Sequence, residues 1–140
     1  MRKTILISTA TLLAGIATAQ ARTIWNGVYS DAQADRGHTM YMQNCSRCHG
    51  ANLWGTYEIP SLAGRVMLYY SGSSLDVLFD YISTAMPLDH PGMLPASVNA
   101  DIVAYLLKAN DVPSGSKELT PEAVKAISFD ARPASRRGSK

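Results

Sequence analysis

Cysteine is nearly absent, with two in 140 residues, which excludes a disulfide-dense scaffold and a four-cysteine zinc site. An excess of either charge is missing too. Lys and Arg number 13 against 11 Asp and Glu, a formal charge of +2. No domain-wide basic patch marks a nucleic-acid partner. At 17% charged and 46% hydrophobic residues, the chain is neither a disordered polyelectrolyte nor a membrane bundle. No alternating apolar and polar run predicts a strand, and there is no internal repeat. The length suits one domain and not comfortably two.

The first 21 residues stand apart from the rest. Met1-Arg2-Lys3 is a short basic start, the run Thr4 to Ala17 is apolar, and Ala17-Thr18-Ala19 and Ala19-Gln20-Ala21 are both small-x-small. That is the layout of a secretory signal peptide over residues 1–21, cleaved after Ala21 with Ala19 as second choice. An uncleaved anchor is the alternative, but the apolar run is shorter than the roughly 20 residues a spanning helix needs. No cysteine follows to carry a lipid. The expectation is an exported, periplasmic chain with no membrane span after cleavage.

Charge is uneven along the mature chain. Residues 22–110 hold Arg22, Arg36, Arg47, Arg65 and Lys108 against Asp31, Asp35, Glu58, Asp76, Asp80, Asp89 and Asp101, a net of −2. Residues 111–140 carry a net of +2. Residues 128–140 read as a basic, disordered tail, because Arg132 to Lys140 has bases, no acid and nothing apolar to bury.

Periodicity between these ends is helical. Asp31 to Asn44 reads as a helix that Asp31 can cap, with Ala34, Gly37, Tyr41 and Cys45 along one face. Gly50 to Gly64 is loop, broken by Gly50, Gly55, Pro60 and Gly64. Ser74 can cap a helix from Leu75 to Ala85, whose Leu75, Leu78, Phe79 and Ile82 form an apolar stripe. Met86-Pro87 ends it, since proline pushes the preceding residue out of the helical region. Asp89 to Ser97 is again loop. Asn99 can cap a helix over Ala100 to Asn110, and Thr120-Pro121-Glu122 opens a short helix to about Ile127. The fold class is all-α: three to four short helices and long loops. Such a chain has a thin core, and long loops in a small domain need something to wrap around. A large apolar cofactor would supply it.

Cys45-Ser46-Arg47-Cys48-His49 reads C-x-x-C-H, the attachment signature of a c-type haem. Two thiols one turn apart can add to the two vinyl groups on one side of a porphyrin, and the adjacent histidine then lies under the iron. Three other readings compete. A Cys45–Cys48 disulfide would close a tiny loop with poor geometry. A thioredoxin-like pair would need a βαβ context. A zinc site would need two further ligands, and His38 and His90 lie at no zinc-finger spacing.

The chain resembles a class I c-type cytochrome, and more narrowly the small cytochromes and cytochrome domains associated with quinoprotein (PQQ) alcohol dehydrogenases. The resemblance is carried by Trp25-Asn26-Gly27-Val28-Tyr29; by Gln33, Ala34, Gly37 and Tyr41 ahead of Cys45 to Gly50; and by Pro60-Ser61-Leu62-Ala63-Gly64, Met86-Pro87, Pro91-Gly92-x-Leu94 and Ala104-Tyr105-Leu106-Leu107. Tyr70 departs from it, where relatives often carry tryptophan. The resemblance implies a cytochrome domain over residues 22–127, packed about the haem over 31–110. It implies one covalent haem c with its iron, thioethers at Cys45 and Cys48, and His49 as proximal ligand. It also implies the Pro60 carbonyl as the hydrogen-bond partner of His49, and a close crossing of first and last helices at Gly37, Tyr41 and Tyr105.

The sixth ligand decides the chemistry, because a second axial ligand leaves outer-sphere electron transfer. Met86 leads, at a helix end where Pro87 holds an extended backbone, and the resemblance also puts the ligand at this Met-Pro. Met93 is the main rival, His90 would give bis-histidine ligation, and Met67 more simply fills an apolar gap. Trp54 could flank the haem. The expectation is an electron carrier or electron-transfer subunit, not an enzyme. Its donor would be a periplasmic dehydrogenase, such as a quinoprotein, and its acceptor a cytochrome or oxidase. The alternatives are a haem enzyme or small-ligand sensor with an open iron, and a non-haem thiol protein.

Overall fold

Helices at the two ends of the domain cross each other, and that crossing organises the computed structural model, which describes residues 22–131 and 133–134. The expected signal peptide and the last basic residues lie outside the described residues. Five α-helices run in order: α1 Asp31–Asn44, α2 Ser46–His49, α3 Arg65–Tyr69, α4 Leu75–Ala85 and α5 Ala96–Ala109. The expected three to four helices become five because α2 and α3 are four and five residues long, too short to show a period.

The α1–α5 crossing follows from one missing side chain. A Cβ on Gly37 would sit 1.8 Å from the Asp101 carbonyl oxygen and 3.0 Å from Tyr105 Cβ, so only glycine lets the two backbones come this close. Beside it, the Tyr41 and Tyr105 rings pack with centroids 5.1 Å apart. The buried face of α5 carries Ile102, Val103, Ala104, Leu106 and Leu107, and α4 adds Leu75, Leu78, Phe79 and Ile82.

Helix starts differ in detail from the expectations. Ser30, not Asp31, caps α1, its hydroxyl accepting from the Gln33 N–H at 3.1 Å; Asp31 falls inside the first turn, where its charge suits the helix dipole. Ser74 sits at the N-cap of α4, but its hydroxyl donates to the Asp76 carboxylate and caps no amide. The last long helix begins one turn early, at Ala96 after Pro95, so Asn99 is an interior, buried residue rather than a cap. Proline at that position pre-sets the backbone.

The C-terminal segment corrects the reading most. The helix expected from Thr120 to Ile127 is a turn and a single 3-10 turn at Val124–Ala126. A strand β3, Ile127–Phe129, follows and forms the middle of a small sheet with β1, Arg22–Thr23, and β2, Ser73–Ser74. β1 lies parallel to β3, with Arg22 opposite Ile127, and β2 is antiparallel to it. Strands of two or three residues have no alternation to detect. The packed chain therefore runs past the boundary expected at 127. Phe129 is fully buried, and Trp25 Nε1–H donates to the Asp130 carbonyl at 3.0 Å. Gln33 holds the connection that leads from α5 to β3, exchanging two bonds of 2.8 and 2.7 Å with the Leu119 backbone. No helix among the described residues is long and apolar enough to cross a membrane.

Candidate functional site

Cys45 ends α1 and opens α2, its N–H donating to the Tyr41 carbonyl at 2.8 Å. The His49 N–H reaches back to the Cys45 carbonyl at 3.0 Å, closing one turn. The two thiols thus stand one turn apart, and both are free. Cys48 is exposed; Cys45 is half-buried, and burial, reinforced by Cys48, pushes its thiol up to about 11. It stays a neutral thiol at pH 7. Tyr41 secures the turn from behind, its hydroxyl donating to the Gly50 carbonyl at 2.7 Å.

His49 Nδ1 lies 3.0 Å from the carbonyl oxygen of Pro60. A neutral imidazole in this contact donates from Nδ1 and keeps a lone pair on Nε2, the state a metal ligand requires. The 50–64 loop is folded back for this purpose. Leu53 O accepts from the N–H groups of Leu62 and Ala63 at 2.7 and 3.1 Å, and the Gly55 N–H donates to His49 O at 2.8 Å. Gly55 has φ +67, and a Cβ there would lie 2.2 Å from the Ile59 carbonyl oxygen. In the sequence Gly55 reads as a loop breaker only; its real demand is close backbone approach, which spacing does not reveal.

Met86 closes α4 with extended backbone, φ −123 and ψ 151, before a cis bond to Pro87. Its side chain is half-buried, whereas Met93 is 55% exposed and His90 is exposed. Met67 lies half-buried on α3 and borders an open cavity of about 320 Å³ with Trp25, Leu68 and Asn110. Trp54 is 71% exposed. One contact at the site carries no sequence signal: Arg47, inside the cysteine turn, is ion-paired with Asp89 in the loop after Met86.

These residues fit a haem. Two free thiols at one-turn spacing and an imidazole held at Nδ1 would form its donor set, and Met40, Leu62, Ala63, Met67, Tyr70, Leu94 and Val98 are half-buried apolar groups against the core. A bare ion is less well served, since among the described residues no three His, Cys, Asp or Glu side chains converge. The model of the family described as cytochrome c oxidase, cbb3-type, subunit III matches residues 32–106, more than half the chain.

The chain belongs to that family and is a class I c-type cytochrome.

Its fold is also that of a solved structure, described as the sulfane dehydrogenase SoxCD from Paracoccus pantotrophus. The two superpose with a TM-score of 0.53 at 21% identity over 85% of this chain and 65% of that one. This cytochrome thus spans under two thirds of that relative. No curated protein matches it. The family binds covalent haem c with its iron and serves electron transfer, so the expected cofactor and fold class hold.

Proposed function

We infer that this cytochrome is a periplasmic single-electron carrier, or the electron-transfer subunit of a dehydrogenase, and not itself an enzyme. The observation that carries the reading is the Nδ1 contact of His49 with Pro60, next to two free thiols. Cys45 and Cys48 would form the thioethers, His49 would bind iron through Nε2, and Met86 would supply the opposite ligand from the end of α4. Haem iron with both axial positions filled exchanges electrons without binding substrate. Pro60 holds the imidazole in one orientation, and the extended backbone at Met86 takes the chain out of α4.

Several observations support the finer points. The start of residues 1–21 has the layout of an export signal, and haem c is attached outside the cytoplasm. The quinoprotein-associated residue pattern favours a dehydrogenase as donor, with a cytochrome or oxidase as acceptor. The relative of similar fold is itself described as a dehydrogenase.

The test uses the purified, haem-loaded protein. Haem is expected to survive acid–acetone extraction, to be lost from the Cys45→Ala/Cys48→Ala variant, and to give a low-spin spectrum that carbon monoxide leaves unchanged. Met86→Ala is expected to admit carbon monoxide and to lower the potential, because a thioether favours Fe(II). A methionine-type spectrum persisting in that variant would transfer the role to Met93, and carbon monoxide binding by the unaltered protein would establish an open iron site. Mass spectrometry is expected to find a mature chain starting at Arg22.

A further inference from the structure

The ion pair between Arg47 and Asp89 joins two parts of the site that lie far apart in sequence. Arg47 is carried by the turn of Cys45, Cys48 and His49, and Asp89 follows Met86 by three residues. Segment 87–94 has little else to hold it. Among the described residues its hydrogen bonds are local: the His90 N–H to Pro87 O at 3.0 Å, the Met93 N–H to His90 O at 3.3 Å, and Asn99 Nδ2–H to Leu94 O at 3.2 Å. Its start is fixed by the Met86 N–H on Ile82 O and its end by Asn99 on α5. Leu88 and Met93 within it are 75% and 55% exposed, while Leu94 at its end packs against the core, so packing holds the end of the segment more than its middle.

We propose that Arg47 and Asp89 form a clasp that holds the Met86 loop closed over the turn carrying Cys45, Cys48 and His49, and so sets how readily the methionine is displaced. The proposal rests on the reading of Met86 as sixth ligand. Both are positioning residues, acting through the loop. The Arg47 and Asp89 side chains are 77% and 46% exposed, so their attraction is screened by salt and modest in size.

The experiment is imidazole titration of the full haem-loaded ferric protein, followed by the methionine-to-iron charge-transfer band. Imidazole nitrogen replaces the Met86 sulfur, and iron remains Fe(III). Asp89→Asn is expected to bind imidazole roughly two- to fivefold more tightly at low salt, the range exposed pairs give. Near 1 M salt, where the Debye length is about 3 Å, the difference should vanish. Arg47→Gln should match it, and the double variant should go no further than either single one. Thermal unfolding should stay unchanged, which separates local opening from global loss.

The clasp is overturned if Asp89→Asn titrates like the parent at low salt, if its effect persists unchanged at high salt, or if it tracks a fall in global stability. A parent protein without the methionine band would overturn the Met86 reading and the clasp together. A parent with the band and an indifferent Asp89→Asn variant would overturn the clasp alone.

Discussion

Nδ1 of His49 and the carbonyl oxygen of Pro60 meet at 3.0 Å across a span of eleven residues. The contact fixes the imidazole tautomer and makes the ring a better electron donor to whatever Nε2 binds. A backbone carbonyl does this, so the side chain at position 60 matters only for where it puts the chain. The loop can fold so tightly because position 55 has no side chain.

Gly55→Ala should therefore act on the iron at a distance. Its Cβ would collide with the Ile59 carbonyl and crowd Pro60. Pushing that carbonyl away weakens its bond to His49, so the midpoint potential is expected to rise, with a stability loss of roughly 1–3 kcal/mol from the strained φ. Gly72→Ala is the control: its φ is +86 but nothing lies within 4 Å, so it should lose stability without moving the potential. Potentiometry on both variants decides, and a shared shift or no shift would refute the account.

Gly37→Ala sets two effects against each other. Alanine is a better helix former than glycine by about 1 kcal/mol. Against that, its Cβ would lie 1.8 Å from Asp101 O, and overpacking of this kind costs about 1–3 kcal/mol or more. The clash is with backbone, which cannot swing aside, so the net expectation is destabilisation with α1 and α5 forced apart. Guanidinium unfolding of the variant would show a lower midpoint; a higher one would contradict the crossing.

Phe129→Ala tests whether the C-terminal strand belongs to the domain. Phe129 is fully buried, and its ring centroid lies 6.0 Å from that of Tyr70. Removing a buried phenylalanine typically costs about 3–5 kcal/mol, a large fraction of a small domain's stability. A chain stopped at residue 127 should lose as much. Denaturant unfolding with an unchanged midpoint in either would return residues 128–131 to the status of a tail.

Encounter with a redox partner should depend only weakly on charge. Lys108, the one lysine in residues 22–110, is paired with Asp31 and Asp35 at 3.0 Å, and Arg36 is paired with Asp101 and Glu118. With a net of −2 over 22–110 and no ring of free lysines among the described residues, steering has little to work with. Stopped-flow reduction by a candidate dehydrogenase is expected to slow by less than tenfold between about 10 and about 200 mM salt. A steeper fall would point to the basic residues beyond Arg132.

The cysteine turn, α1 and α4 were legible because each writes itself locally: a five-residue motif, or a helical stripe long enough to repeat. Helix α4 matches its expected span at both ends, where Met86-Pro87 acts as a stop. What escaped was made by partners distant in sequence. The strand Ile127–Phe129 exists because Arg22–Thr23 and Ser73–Ser74 are beside it, and Asn99 looks like a cap until Pro95 starts the helix a turn earlier. Gly37 was expected at the helix crossing through resemblance, yet the clearance that demands it is visible only in three dimensions. The Arg47–Asp89 pair has no signature at all, being two exposed charges 42 residues apart.

Because Arg22 stands opposite Ile127 in adjacent strands that run the same way, residues near both ends of the described chain hold each other in one small sheet. The chain before Arg22 and the chain after Phe129 therefore leave from opposite ends of that strand pair. A tether or tag joined ahead of β1 would thus draw on the sheet from the opposite end to one joined beyond β3, and each would pull on a strand that the other end of the domain holds in place.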